Sequence, residues 1–368
     1  MMVLVAWLAV CGTAAATGGD RLDRFRELAA SGLARAQLGG AETADATVSE
    51  LYALVDEEIV ENLESGGPFA SLGFIQERLD AFGGAWGGAS FHILRPAGGA
   101  ARAPLTIGVL ALAGVPGSGS MRLYGRTAGA VVPVRTVTHD GVPEVHEWPA
   151  ARDGAPQWVV TWTGPAVGRG ARPVRVELWR QRRDDEATRV WGSADLYPDG
   201  LWASDLAIRR GEIRLRYELR YPGWKPGCEG QTEHEDFYRV PPGADVPALA
   251  RRQVFNGWHR DLGTAVERFF AALAHQDLRR LAELVPDARV RARLPAGLRP
   301  EPACEAHSPD TPGMVVVAAT DDGPGPDSRR GESRPATSRV PAASPWSLWW
   351  TRAPGGAWRL SAAQPVLE

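Results

Sequence analysis

Three patterns of apolar spacing succeed one another along the chain. From about residue 20 to residue 82 the spacing is helical: Leu22, Phe25, Leu28, Ala29 and Leu33 share one face before Gly39 and Gly40. Val48, Leu51, Tyr52, Val55, Ile59 and Leu63 share a second face, opened by a Thr47/Glu50 capping box and stopped by Gly66, Gly67 and Pro68. Ser71 reads as the N-cap of a third helix, which carries Phe74, Ile75, Leu79 and Phe82 up to Gly83 and Gly84. Short helices are stabilised mainly by burying an apolar face, so this helical unit, 17–85, is expected to rest its stripes on the neighbouring domain.

From Trp86 to about Val240 the period drops to two, and Gly and Pro clusters cut the chain into short runs, the pattern of an antiparallel β-sandwich over 86–240. The clearest strand is Ile213 to Tyr221: Ile213, Leu215, Tyr217, Leu219 and Tyr221 alternate with Arg214, Arg216, Glu218 and Arg220, so one face is core and the other wet. Trp158, Val160 and Trp162 alternate with Val159, Thr161 and Thr163 in the same way, which makes these tryptophans core residues rather than a ligand face. Asp184, Asp185 and Glu186 fall between two strands and read as a solvated hairpin turn.

The last third, 246–368, returns to mixed patterning and reads as an α+β domain with a curved sheet. A long amphipathic helix is expected from near Ala248, with Val254, Trp258, Leu262, Ala265, Val266, Phe269 and Leu273 on one stripe. Asp277 caps a shorter one bearing Leu278, Leu281 and Leu284. A strand at Met314 to Ala319 precedes a polar tract, 321–345, too broken to bury a core and expected to be disordered. A hairpin closes the chain. The segments AVERFFAALAHQDLRRLAELVPD and PWSLWWTRAPGGAWRLS make this third resemble the nuclear-transport-factor-two-like cone fold. That superfamily includes enzymes, ligand binders and purely structural modules, so the resemblance implies a cone but selects no activity.

At 368 residues and 44% hydrophobic, the whole is expected to form about two or three packed domains, multidomain α+β in class. A formal net charge of -3 offers no basic field for nucleic acid. Among 41 basic residues Lys225 is the only lysine, a bias expected of a GC-rich bacterial genome.

The first sixteen residues, MMVLVAWLAVCGTAAA, read as a secretory signal cleaved after Ala16. The run is shorter than the ~20 apolar residues of a membrane span. Leu8 to Cys11 resembles a lipobox, which makes Cys11 the candidate for a lipid anchor. Removing or lipidating Cys11 leaves an even pair, Cys228 and Cys304, and an oxidising compartment favours their union in a disulfide.

One loop gathers the reactive residue types: Trp224 to Asp236, with the sole lysine and Cys228. A hydrolase would use Cys228 as nucleophile, His234 as base and Asp236 to orient it, with Lys225 nearby as a cation. A metal site would draw on Glu233, His234, Glu235 and Asp236, although extended backbone sends His234 and Asp236 to one face and the two glutamates to the other. The simplest alternative is a Gly/Pro-rich loop pinned by Cys228 and solvated by its acids. No phosphate loop, His-Glu-x-x-His helix, Cys-x-x-Cys pair or Gly-x-Ser-x-Gly elbow occurs, and no cofactor is implied. The expectation is an exported bacterial envelope protein, periplasmic or envelope-associated, that acts by binding or assembly with an envelope protein or glycan as partner. The alternative is a periplasmic hydrolase or metal-dependent enzyme centred on 224–236.

Overall fold

A computed structural model describes residues 18–37, 41–97, 105–167, 170–307, 312–321 and 344–366. The signal segment 1–16 with Cys11, and nearly all of the polar tract 321–345, lie outside the described residues. The described chain is a mixed α+β structure, mostly strand, with six α-helices and three antiparallel sheets. None of these helices is long and apolar enough to cross a membrane.

Helices α1 (Gly18–Gln37), α2 (Ala41–Ser65) and α3 (Leu72–Trp86) lead into a four-stranded sheet, β1 (Ser90–Leu94), β2 (Thr106–Ala111), β3 (Ser120–Thr127) and β4 (Ala130–Thr138), in sequential order. The helical stripes end up against it. Phe25, Leu51, Val55, Ile59, Ile75, Leu79 and Phe82 share one apolar cluster with Phe91, Leu110 and Tyr124 of the sheet. Asp56 ties the layers together by accepting from the Tyr124 hydroxyl at 2.7 Å and from Arg122. Ser71 caps α3 as its position implies, its Oγ accepting from the Phe74 N–H. By contrast α2 begins at Ala41, so Thr47 and Glu50 sit inside the helix and form no capping box at its start.

The sheet's other face, Leu105, Ile107, Val109, Met121 and Leu123, meets Trp158, Val160, Trp162 and Trp179 of a second sheet. β2 is therefore buried along its whole length, helices on one side and tryptophans on the other. The second sheet comprises β5 (Val142–Glu147), β6 (Gln157–Thr163), β7 (Arg172–Arg183), β8 (Glu186–Gly192), β9 (Leu201–Arg209), β10 (Glu212–Glu218), β11 (Glu233–Arg239) and β12 (Ala248–Phe255). Its order is β12-β11-β10-β9-β7-β6-β5, with β8 paired to β7. Ile213, Leu215 and Tyr217 point inward to meet Val176, Leu178 and Leu201, as their alternation requires. Asp184 and Asp185 form the turn between β7 and β8.

The third layer corrects one expectation. Residues 248–255 are a strand, not the opening turns of a helix, because β12 pairs along β11 with Asp236 opposite Arg252 and His234 opposite Val254. Ladder hydrogen bonds and that charged pair outweigh local helical preference. Asn256 turns the chain in the left-handed region at φ 49°, and α4 (Gly257–Ala274) starts only there. α5 (Leu278–Leu284), capped by Asp277, and α6 (Ala288–Arg291) come next. These helices cover a five-stranded sheet of β13 (Leu298–Pro300), β14 (Ala306–His307), β15 (Met314–Asp321), β16 (Ser344–Arg352) and β17 (Trp358–Pro365). Phe269, Trp350 and Trp358 fill the space between helices and sheet. Phe269 meets Trp350 edge to face at 5.7 Å.

Candidate functional site

The loop joining β10 to β11, residues 219–232, lies between the second sheet and α4. Gly223 lets it approach the helix: a Cβ there, at φ +87°, would stand 3.0 Å from the Gly263 Cα. The buried Gln231 side chain holds the loop from within, its Oε1 accepting from the Lys225 N–H at 2.8 Å and its Nε2 donating to the Cys228 carbonyl at 3.2 Å. Cys228 and Cys304 form a disulfide with an S–S distance of 2.00 Å. Its sulfur is therefore not available as the thiolate a cysteine hydrolase needs.

That bridge brings Glu305 beneath the loop. Lys225 Nζ donates to Glu305 Oε1 at 2.7 Å, and His259 Nε2 lies 3.0 Å from Glu305 Oε2. On the other side of the imidazole, Nδ1 is 2.6 Å from the Tyr221 hydroxyl, which itself accepts from the Thr232 N–H at 3.2 Å. The imidazole thus bridges the Tyr221 hydroxyl and the Glu305 carboxylate, which accepts from Nε2–H. Burial of Glu305 opposes ionisation, yet the hydrogen bonds from His259 and Lys225 outweigh it and hold the carboxyl at about 2.

The remaining candidates lie on β11 and form a second network. Asp236, fully buried, accepts from Arg252 Nε and Nη2 at 2.7 Å each, from the Tyr197 hydroxyl at 2.8 Å and from the Tyr217 hydroxyl at 3.0 Å. Burial would raise its pKa, but the bidentate Arg252 and the tyrosines carry it below the ordinary range. Burial pushes the Tyr217 phenol up to about 12. His234 lies buried beside them, Nδ1 3.4 Å from the Tyr217 hydroxyl, and burial lowers its pKa. On the opposite face Glu233 pairs with Arg216 at 2.6 Å and Glu235 lies 3.8 Å from Arg214. The proposed quartet is thus divided, with Lys225 in the Glu305 network, His234 and Asp236 around Tyr217, and Cys228 in the disulfide. The four proposed metal ligands do not converge, and among the described residues no group of three or more His, Cys, Asp and Glu is placed to hold a metal ion.

The open feature on this loop is a cleft of about 340 Å³ on its outer side, lined by Trp202, Glu218, Arg220, Trp224, Pro226 and Gly227 together with Val167 and Ala171. Trp202 projects from β9 and Trp224 from the loop, and both indoles are half-buried. The Arg220 guanidinium lies over both, 5.5 Å from the Trp202 ring centroid and 5.2 Å from that of Trp224. Trp224 Nε1 donates to Glu218 Oε2 at 3.2 Å, which fixes the indole on its wall. Sequence reasoning found Trp224 but missed Trp202, Arg220, His259 and Glu305. The only signal for the cleft was an arginine and a tryptophan in one Gly/Pro-rich loop, and Trp202 belongs to another strand.

No protein-family model, curated protein or solved structure gives a significant match to the chain.

Proposed function

We propose that this chain is an exported bacterial envelope protein that acts by binding, and that its ligand is an oligosaccharide taken into the cleft between Trp202 and Trp224. The observation that carries the reading is the pair of half-buried indoles facing one cleft, with an arginine and a glutamate between them. Indole faces take the apolar C–H faces of sugar rings, while the few polar groups fix orientation, and the volume lies within the range of small-ligand clefts. Export is supported by the signal-like residues 1–16 and by the Cys228–Cys304 disulfide, a bond that persists in oxidising compartments. Lipid attachment at Cys11 would keep the same binding face at a membrane surface. The nuclear-transport-factor-two-like reading of the C-terminal third belongs to this proposal as scaffold, supported by helices packed across an antiparallel sheet whose interior is filled by aromatic rings.

The enzyme alternative has less support, since the candidate nucleophile is a disulfide sulfur and Glu233, Glu235 and Asp236 each face an arginine. Isothermal titration of the secreted chain against neutral and acidic tetrasaccharides tests the reading. Binding of at least one, weakened at least about tenfold by Trp224→Ala, is expected. No binding of any at millimolar sugar, or full affinity in Trp224→Ala, would overturn it.

A further inference from the structure

We propose that the cleft selects a carboxylate-bearing sugar, a uronate, and that Arg220 is the residue that reads its charge. This rests on the oligosaccharide reading of the same cleft. Some arginines of the sheet are matched, Arg214 with Asp205, Arg216 with Glu233, Arg239 with Glu212 and Arg252 with Asp236, while Arg172, Arg209 and Arg251 make no ion pair with any described residue. Arg220 belongs to the second group, and what sets it apart is its place in a cleft. It makes no ion pair with any described residue, and its guanidinium lies instead over two indoles in a cleft whose walls are largely apolar. The one carboxylate lining the cleft, Glu218, accepts from Trp224 Nε1 through Oε2 and forms no ion pair with Arg220.

An exposed guanidinium that lies over two indoles offers an incoming anion a charge partner beside two flat apolar surfaces. A planar guanidinium matches a carboxylate with two parallel N–H donors, a geometry lysine lacks. A uronate presents that carboxylate at the edge of a ring whose C–H faces fit the flanking indoles. A peptide carboxylate would satisfy the arginine but leave both indoles without a flat partner, so the sugar is favoured.

The test compares tetragalacturonate with its methyl ester, the same rings with and without charge, by isothermal titration of the full secreted chain at low salt. The acid is expected to bind about three- to fivefold more tightly than the ester, the worth of one charge-assisted contact at an exposed site. That preference should vanish in Arg220→Gln and shrink at about 0.5 M salt, where the Debye length falls to a few ångströms. Arg220 is exposed, so an unchanged melting temperature in Arg220→Gln checks that folding is intact. Equal affinities for acid and ester, or a preference that persists in Arg220→Gln, would overturn the inference and leave the oligosaccharide reading standing. Failure of every sugar to bind overturns both. Arg220-dependent binding of tetraglutamate without binding of the uronate overturns the inference in favour of an acidic peptide.

Discussion

Replacing Glu305 by Gln tests whether the buried network of Lys225, His259 and Tyr221 holds the loop 219–232 to the helical layer. In the folded chain the Glu305 carboxyl is held at about 2, against an ordinary 4.5, and its side chain is only 8% exposed, so solvent screens the contacts little. A folded-state pKa below the unfolded one contributes stability that is present in full above the unfolded value and is lost as pH falls through the folded one. At about 1.4 kcal/mol per pH unit, the gap between the two values contributes about 3 kcal/mol at pH 7. Glutamine mimics the protonated acid, so Glu305→Gln is expected to unfold in urea with about 3 kcal/mol less stability than the parent at pH 7. Roughly half of that difference should remain at pH 3, and it should close further toward pH 2. A difference below about 1 kcal/mol at pH 7, or one that is as large at pH 3 as at pH 7, would refute the reasoning.

Removing the disulfide with Cys228→Ser and Cys304→Ser releases a loop of sequence separation 76 and is expected to cost about 4 to 5 kcal/mol by the chain-entropy estimate. Urea midpoints of the variant and of the reduced parent should fall together, and an unchanged midpoint would count against the bridge as a structural bond. Asp236→Ala removes the buried acceptor shared by Tyr197, Tyr217 and Arg252, whose own side chain is 42% exposed, and is expected to cost about 1 to 3 kcal/mol in denaturant unfolding, whereas a loss under about 0.5 kcal/mol would mean that the carboxylate is not the hub of that network. The intact mass of the secreted, non-reduced chain should start at Thr17 and fall two hydrogens below the dithiol form; retention of residues 1–16 would contradict export by cleavage after Ala16.

Much of the architecture was legible where burial is one-sided and periodic. Leu51, Val55, Ile59 and Leu63 repeat at helical spacing because one stripe of α2 meets the core, and Ile213, Leu215 and Tyr217 alternate because one face of β10 does. Ser71 and Asp277 announced helix starts through their side-chain oxygens. β12 gave no such signal. Ala248 to Phe255 is exposed along nearly its whole length, so it carries no alternation, and its identity as a strand comes from β11 and the Arg252–Asp236 pair. The site was hidden for a related reason. His259 and Glu305 meet only because the disulfide and the helical layer fold onto the loop, and the indole pair forms only once β9 and the loop are neighbours. Chemistry read from adjacency along the chain grouped Cys228, His234 and Asp236; the disulfide takes Cys228 out of the group, while His234 and Asp236 share one face of β11 around Tyr217.

The claim on which the functional account stands is that Trp202 and Trp224 hold a sugar, and the indole N–H resonances of the tryptophans report on it one ring at a time. With nitrogen-15 labelling and assignment by Trp-to-Phe substitution, titration with tetragalacturonate should move the signals of Trp202 and Trp224 while those of the buried Trp158, Trp162 and Trp350 stay in place. Unmoved Trp202 and Trp224 signals at millimolar sugar, or shifts confined to other indoles, would contradict it.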